Sequence, residues 1–325
     1  LKRGLRVTPA NGKTIRERLH EGGVLFDGGM GSMLIAGGLA LGSAPEEWNR
    51  SHEAFVRSVH VSYLEAGAEV ITTNTFGGTP GKLTGHGLGG TANELNAAGV
   101  RIALDAIAEF EGSSVRQAPG GGPAAGPLRR FVALSVGPTG KMLPPLGAAT
   151  EEELAAEFSA QIESAHEDVD LVLLETMYDL REAVIAFNAA RAIVSVPVGC
   201  TLTFDRKPKG FFTIMGNEAE RSVQIMEEMG VDFVGANCTL TSGDMIECAS
   251  VIRRATALPV LCQPNAGRPS IENGVPVYAQ SPGEFAADIM VMLGQGISAV
   301  GGCCGTTPDF IRAVRSLRLR AGSGR

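Results

Sequence analysis

Residues 171–204 read LVLLETMYDLREAVIAFNAARAIVSVPVGCTLTF, and their pattern decides the fold. Leu171–Thr176 is a short, nearly continuous apolar run, as expected of a strand covered on both faces. Asp179 is a capping residue placed ahead of Leu180–Ala192, whose apolar residues recur at helical spacing. Pro197–Phe204 is a second apolar, β-rich run. Strand, helix and strand in that order predict a parallel pair joined by a helical crossover.

The same alternation extends in both directions. Strand-like runs fall at Val24–Gly29, Val70–Phe76, Phe131–Pro138, Phe233–Thr239, Pro259–Gly267 and Ser298–Gly305. Helical patterns fall at Asn49–Ala66, Asn93–Phe110, Glu151–His166, Glu218–Gly230, Ser242–Ala255, Pro282–Gly294 and Thr307–Leu317. Eight strand–helix units in 325 residues predict an α/β chain folded as a (β/α)8 TIM barrel over residues 21–320, after an N-terminal extension, 1–20. A doubly wound sheet fits less well, because the first strand is followed by GGMGS and not by the phosphate-binding GxGxxG. Two segments break the rhythm. Gly77–Gly90 follows the second strand, where it reads as a mobile lid or a floppy loop, and 112–130, which contains RQAPGGGPAAGPLRR, reads as a flexible insertion without function.

Composition narrows the function classes. With 28 Lys and Arg against 35 Asp and Glu, the net charge of −7 argues against nucleic acid as a partner. No apolar run is long enough to span a membrane, and the basic start lacks the apolar stretch of a secretory signal, so a cytoplasmic location is expected. Six cysteines are too few for a disulfide scaffold, and in a reducing compartment a cysteine cluster points to metal binding or catalysis.

The polar residues gather at the C-terminal ends of the strands. Asp27-Gly28-Gly29-Met30, Thr73-Asn74-Thr75, Glu175-Thr176, Asn237-Cys238-Thr239, Gln263-Pro264-Asn265 and Cys303-Cys304 all lie there. In a barrel these ends converge on one mouth, so distant residues can share a site. Zinc favours thiolate ligands, and a catalytic zinc keeps one coordination position open. Cys303 and Cys304 are adjacent and cannot both point inward from a regular strand, but among Gly301, Gly302 and Gly305 the chain can turn both toward one ion. Cys238, at the end of strand 6, would approach from across the mouth. A thiol bound to such an ion would lose its proton and stay nucleophilic. A redox-active vicinal disulfide is the rival reading of the pair. Cys200, Cys248 and Cys262 lie within strands or a helix and read as packing residues. A lyase or aldolase using Glu175 as base is disfavoured, since no lysine stands at a strand end to form a Schiff base; Lys141 lies in a loop beyond strand 3.

At FDGGMGSML (26–34), TNTFG (73–77), NELNAAGVRIA (93–103), SVGPTG (135–140), LLET (173–176), GANC (235–238), QPNAG (263–267) and GGCCGTTP (301–308), the chain resembles the homocysteine S-methyltransferase family. The GGMG form is most similar to the homocysteine domain of cobalamin-dependent methionine synthases. The resemblance implies a zinc-dependent methyl transfer to the thiol of homocysteine, giving methionine. It implies Cys238, Cys303 and Cys304 as catalytic metal ligands, with Asn265 as an exchangeable fourth. It also implies Asp27, Gly28, Gly29, Met30, Asn74, Glu175 and Asn237 as substrate contacts, Glu175 meeting the ammonium group. An anion for that ammonium and backbone N–H groups for the substrate carboxylate are what an amino-acid substrate requires in any case. No DxHxxG cobalamin signature occurs, so a corrinoid would act only in trans. The methyl donor is then a methylated corrinoid protein or a small molecule such as S-methylmethionine or a betaine. Two alternatives follow: a subunit that presents homocysteine to a separate corrinoid protein, or transfer to another small thiol.

Overall fold

The computed structural model describes residues 13–117, 129–272 and 275–322. Eight parallel strands form the predicted barrel: β1 (Val24–Leu25), β2 (Val70–Thr72), β3 (Phe131–Val136), β4 (Leu171–Met177), β5 (Val198–Leu202), β6 (Phe233–Thr241), β7 (Val260–Asn265) and β8 (Ala299–Val300). They are hydrogen-bonded in the order β1-β8-β7-β6-β5-β4-β3-β2. A parallel bridge from Phe26 to Val70 joins β1 to β2 and completes the ring. Each strand is followed by a helix that returns the chain: Glu53–Ala66, Ala92–Gln117, Glu151–Ala165, Leu180–Ile193, Ala219–Met229, Ser242–Ala255, Pro282–Gly294 and Pro308–Gly322. The capping residues do what their chemistry predicts. Asp179 accepts from the Arg181 N–H, while Thr150 with Glu153 and Ser281 with Glu284 form reciprocal capping boxes.

Alternation along the strands produces two cores. Val132, Leu134, Val172 and Leu174 face outward to the helices, whereas Phe131, Ala133, Leu171 and Leu173 face the barrel axis with Phe26, Phe233, Leu261 and Ala299. Gly199 makes room inside: a Cβ there would lie 2.0 Å from the Phe233 ring. Continuing the inward parity leads to Ser135, Glu175, Asn237 and Gln263. The barrel interior is therefore apolar below and polar at its C-terminal mouth.

Three details differ from the expectations. β1 and β8 are only two residues long, because the chain beyond them turns through glycines and leaves the ladder. The expected extension 1–20 runs into a helix, Ile15–Glu21, opened by a capping box between Thr14 and Glu17. Its Ile15 and Leu19 join the inward-facing cluster and plug the lower end of the barrel. Gly77–Gly90 is no bare loop. It contains the helix Pro80–Thr84 and is held by Gly77 N–H on Glu46, Gly81 N–H on Glu157 and Asn96 on the Gly78 carbonyl. Of the glycine-rich insertion, 118–128 lies outside the described residues, and the part before it continues the helix to Gln117.

Since Leu19 is fully buried against strand residues, Leu19→Ala will destabilise the barrel by about 2–5 kcal/mol. The neighbouring exposed His20→Ala will change stability by about 0.5 kcal/mol at most. Urea denaturation of the two variants checks both figures.

Candidate active site

Strand geometry alone would not bring Cys238 to the mouth, because Asn237 already takes the inward position. The β6–β7 register shifts between Asn237 and Thr241, and Cys238 (φ 62°) and Thr239 (φ 51°) adopt the left-handed conformation. That region is sparsely populated by residues other than glycine, and it is costly for a β-branched threonine. The departure carries Cys238 Sγ to 3.8 Å from Cys304 Sγ, which is 4.0 Å from Cys303 Sγ. All three sulfurs lie within 4.8 Å of one another, and among the described residues this is the one group of three or more His, Cys, Asp or Glu placed to hold a metal ion.

The Cys303–Cys304 turn is fixed by its backbone. Cys303 N–H donates to the Pro264 carbonyl at 2.9 Å, and Cys304 N–H donates to Asn265 Oδ1 at 3.0 Å. Thr306 Oγ1 donates to the Cys303 carbonyl at 2.7 Å and accepts from Gly29 N–H at 3.0 Å. Gly305 N–H donates to Ser32 Oγ at 2.8 Å. The thiol turn and the Asp27–Met30 turn are thus one hydrogen-bonded unit. Gly29 is required at that junction, where a Cβ would lie 2.6 Å from the Cys303 carbonyl oxygen.

The three thiols share charge unequally. Hydrogen bonds from Cys303, then from Cys304, hold Cys238 well below the ordinary thiol range, and the resulting thiolate raises the two neighbours that donate to it. A soft cation entering the cluster would displace thiol protons, since the thiolate is the ligand form. Three sulfurs converging from the ends of two strands match the donor set that zinc prefers. Cys200 and Cys262 contrast sharply. Both are buried inside strands, and burial pushes each up to about 12, as for inert packing thiols.

Glu175 stands beside this cluster. Ser135 Oγ donates to one carboxyl oxygen and Asn237 Nδ2 lies 3.4 Å from the other. Burial pushes Glu175 up to about 7. It lies within a second irregularity: the β4–β5 register shifts between Leu174 and Met177, and the next residue, Thr176, is left-handed (φ 59°). Asn237 secures that turn. Its Oδ1 accepts from Thr176 N–H at 2.7 Å and Thr201 Oγ1 at 2.8 Å, and its Nδ2 donates to Thr176 Oγ1 at 2.7 Å.

The remaining expected contacts are placed as follows. Asp27 is buried and accepts from Thr72 N–H at 2.8 Å and Thr72 Oγ1 at 2.6 Å, with burial pushing it up to about 7. A Cβ on Gly28 would lie 2.7 Å from Thr306 Oγ1. Met30 opens the helix Met30–Ala36 at the rim and is half-buried. The Asn74 amide nitrogen is taken up by the Pro45 carbonyl at 2.8 Å and Asn49 Oδ1 at 2.9 Å, which anchors the segment after that helix. Asn265 Oδ1 is held by Cys304 N–H. Ser135, Thr201 and Thr306 were not singled out from the sequence. Inward parity along LVLLE and FVALS marks Glu175 and Ser135, but nothing local marks Thr306.

Comparison with known proteins places this geometry. A family model described as homocysteine S-methyltransferase matches residues 24–317. The methionine synthase of Mycobacterium tuberculosis (strain ATCC 25618 / H37Rv) is 31% identical over 304 residues, which cover 89% of this chain and 24% of that protein. The methionine synthase of Mycobacterium leprae (strain TN) is 29% identical over 340 residues, covering 98% of this chain and 26% of that protein. The chain therefore spans about a quarter of the length of these curated relatives. In fold it is similar to the metallated form of the homocysteine methyltransferase MmuM from Escherichia coli. The TM-score is 0.73 at 22% identity, covering 90% of this chain and 96% of that one. The family model runs through all eight barrel strands, from β1 past the thiol turn, and the chain belongs to the homocysteine S-methyltransferase family.

Proposed function

We propose that the protein transfers a methyl group to the thiol of homocysteine, with zinc held by Cys238, Cys303 and Cys304. The observation that carries this reading is the position of Asn237. Its amide nitrogen lies 3.4 Å from Glu175 Oε2 and 4.0 Å from Cys303 Sγ, so a carboxylate and a thiol cluster flank one buried amide. A short amino acid with a thiol on its side chain presents two matching groups. Zinc, when bound, supplies a Lewis acid that lowers the pKa of an incoming thiol while leaving its sulfur nucleophilic.

The chain's own residues supply binding and orientation. Glu175 receives the ammonium group, and ionisation of its carboxyl is favoured once that cation arrives. Ser135 and Asn237 fix the carboxylate plane. The Asp27–Met30 turn presents backbone to the substrate carboxylate, and its glycines let it pack against the thiol turn, where a Cβ on Gly28 would lie 2.7 Å from Thr306 Oγ1 and one on Gly29 2.6 Å from the Cys303 carbonyl oxygen. Asp27 itself holds the end of β1 against Thr72 and acts through that turn. Asn265 positions Cys304 through its backbone N–H, and exchange at the metal's fourth position is its further proposed role.

The donor is proposed from the relatives. The likeness of the GGMG motif to the homocysteine domain of cobalamin-dependent methionine synthases makes a corrinoid-borne methyl group the first to test, ahead of S-methylmethionine and glycine betaine. A barrel that only presents homocysteine to a corrinoid protein would form no methionine from free methylcobalamin.

The purified protein will contain about one zinc per chain and form methionine from homocysteine and methylcobalamin, and Cys303→Ala will lose both metal and turnover. Metal analysis with a methionine assay decides it; full activity in metal-free protein with intact cysteines overturns the proposal. Glu175→Gln will raise the KM for homocysteine about 10- to 100-fold, with a smaller effect on kcat, as expected for loss of a charge-assisted contact. The pH profile gives an independent sign. Glu175 is neutral below about 7 in the free site, so wild-type affinity will fall as pH drops through that value. The Glu175→Gln variant will lack this component, and a wild-type profile parallel to that of the variant contradicts the assignment.

A further inference from the structure

Strand parity puts one layer of inward polar side chains at the mouth, directly above the apolar interior. From β3 to β7 that layer reads Ser135, Glu175, Thr201, Asn237 and Gln263. Four of them hold one another. Ser135 donates to Glu175, and Asn237 binds Thr201 and both polar groups of Thr176. Gln263 stands apart. It is only 4% exposed, its carbonyl oxygen is buried with no hydrogen-bond partner among the described residues, and its amide nitrogen is bonded to none of them. A buried, unpaired amide is costly, and native proteins keep few of them.

Its surroundings point to the missing partner. Gln263 pairs in register with Asn237, whose own amide reaches Glu175. On the other side its stem passes Gly301, where a Cβ would lie 3.3 Å from Gln263 Cγ and 2.9 Å from the Asp27 carbonyl oxygen. Gln263 therefore stands between the carboxyl proposed to take an ammonium group and the turn proposed to take a carboxylate. That turn spends two of its own donors inside the protein, Asp27 N–H on the Val70 carbonyl and Gly29 N–H on Thr306. A side-chain donor is needed to complete the carboxylate's partners.

We infer that Gln263 reads the α-amino-acid head of the thiol substrate: its amide nitrogen donates to the substrate carboxylate, and its carbonyl oxygen accepts from the ammonium group. A primary amide carries a donor and an acceptor side by side, which matches a head that carries an acceptor and a donor side by side. With neither end held by the protein, the amide is free to turn to that match. A thiol without the head leaves the amide unpaired, and a site built to hydrogen-bond a substrate group rejects analogues lacking it more strongly than an apolar pocket can. Gln263 is thus a specificity-determining residue. The inference rests on homocysteine as the acceptor proposed above, and the measurement separates the two claims.

Titration calorimetry on the purified protein compares two ligands, homocysteine and propane-1-thiol, which is the same thiol without the head. Gln263→Met keeps an unbranched side chain of similar length and removes both hydrogen-bonding groups. It will bind homocysteine about 10- to 100-fold more weakly and propane-1-thiol within about twofold of wild type. Gln263→Leu, a second apolar variant, will give the same contrast. Ligand-free Gln263→Met will melt at or above the wild-type temperature, because the unpaired amide is gone. A structural glutamine would behave in the opposite way. A variant that melts lower and loses affinity for both thiols equally overturns the inference, as does undiminished affinity for homocysteine. A wild type that binds homocysteine no more tightly than propane-1-thiol overturns the homocysteine reading itself, and the inference with it.

Discussion

Successive side chains on a strand point to opposite faces, and this limits what a barrel can place at its mouth. Asn237 and Cys238 are neighbours, yet one clamps the Glu175 turn and the other meets a thiol of the turn beyond β8. Both can work only because β6 abandons its register after Asn237. The conformations that result, Cys238 and Thr239 left-handed and Thr176 likewise across the mouth, are unfavourable for these residue types. They persist because each is overdetermined. Asn237 binds Thr176 through both its backbone N–H and its hydroxyl, and Thr239 Oγ1 pairs with Thr203 Oγ1. The strain is local and the barrel beneath it is regular, which is how a rigid scaffold holds a precise site.

The same division governs the charges. Below the mouth the interior is apolar, so ionisable groups placed at its upper edge are desolvated from beneath. Asp27 and Glu175 both move toward neutrality for this reason, and each keeps hydroxyl or amide donors that favour its anion. Neither is paired with a cationic side chain among the described residues. A buried carboxyl without a cation is a place where a cationic ligand gains most from binding. Glu175, beside the thiols, is the one proposed to receive an ammonium group. Asp27 is satisfied by Thr72 and fits a structural role at the junction of β1 and β2.

Much of the fold was legible from residue order because it depends on near-local patterns. Apolar runs, helix caps and glycine stops gave eight units, and the structure forms eight. What was missed depends on tertiary closure. The helix Ile15–Glu21 has few apolar residues of its own, and its importance comes from the barrel floor that receives Ile15 and Leu19. Gly77–Gly90 looks like a loop by composition, yet Glu46, Glu157 and Asn96 pin it from elsewhere in the chain. At the site, the thiols were readable because vicinal cysteines among glycines have no packing rationale. Thr306 was not, because a threonine beyond a strand end is ordinary until its partners are known.

Those partners show why the glycine-flanked motifs at the two ends of the chain belong together. Gly302 N–H donates to the Asp27 carbonyl, Gly29 N–H to Thr306, and Gly305 N–H to Ser32, while Tyr63 OH donates to the Thr306 carbonyl. A closed barrel makes its first and last strands neighbours, so a turn after β1 and a turn after β8 can be built as one object. If the first turn holds the substrate carboxylate and the last holds the metal, the spacing between a thiol sulfur and its own carboxylate is measured by these hydrogen bonds and not by flexible side chains. A longer or shorter thiol would then be rejected at the backbone level, where adjustment is most costly. Barrel closure would in this sense be part of the specificity, since an open sheet would leave the two turns at opposite edges.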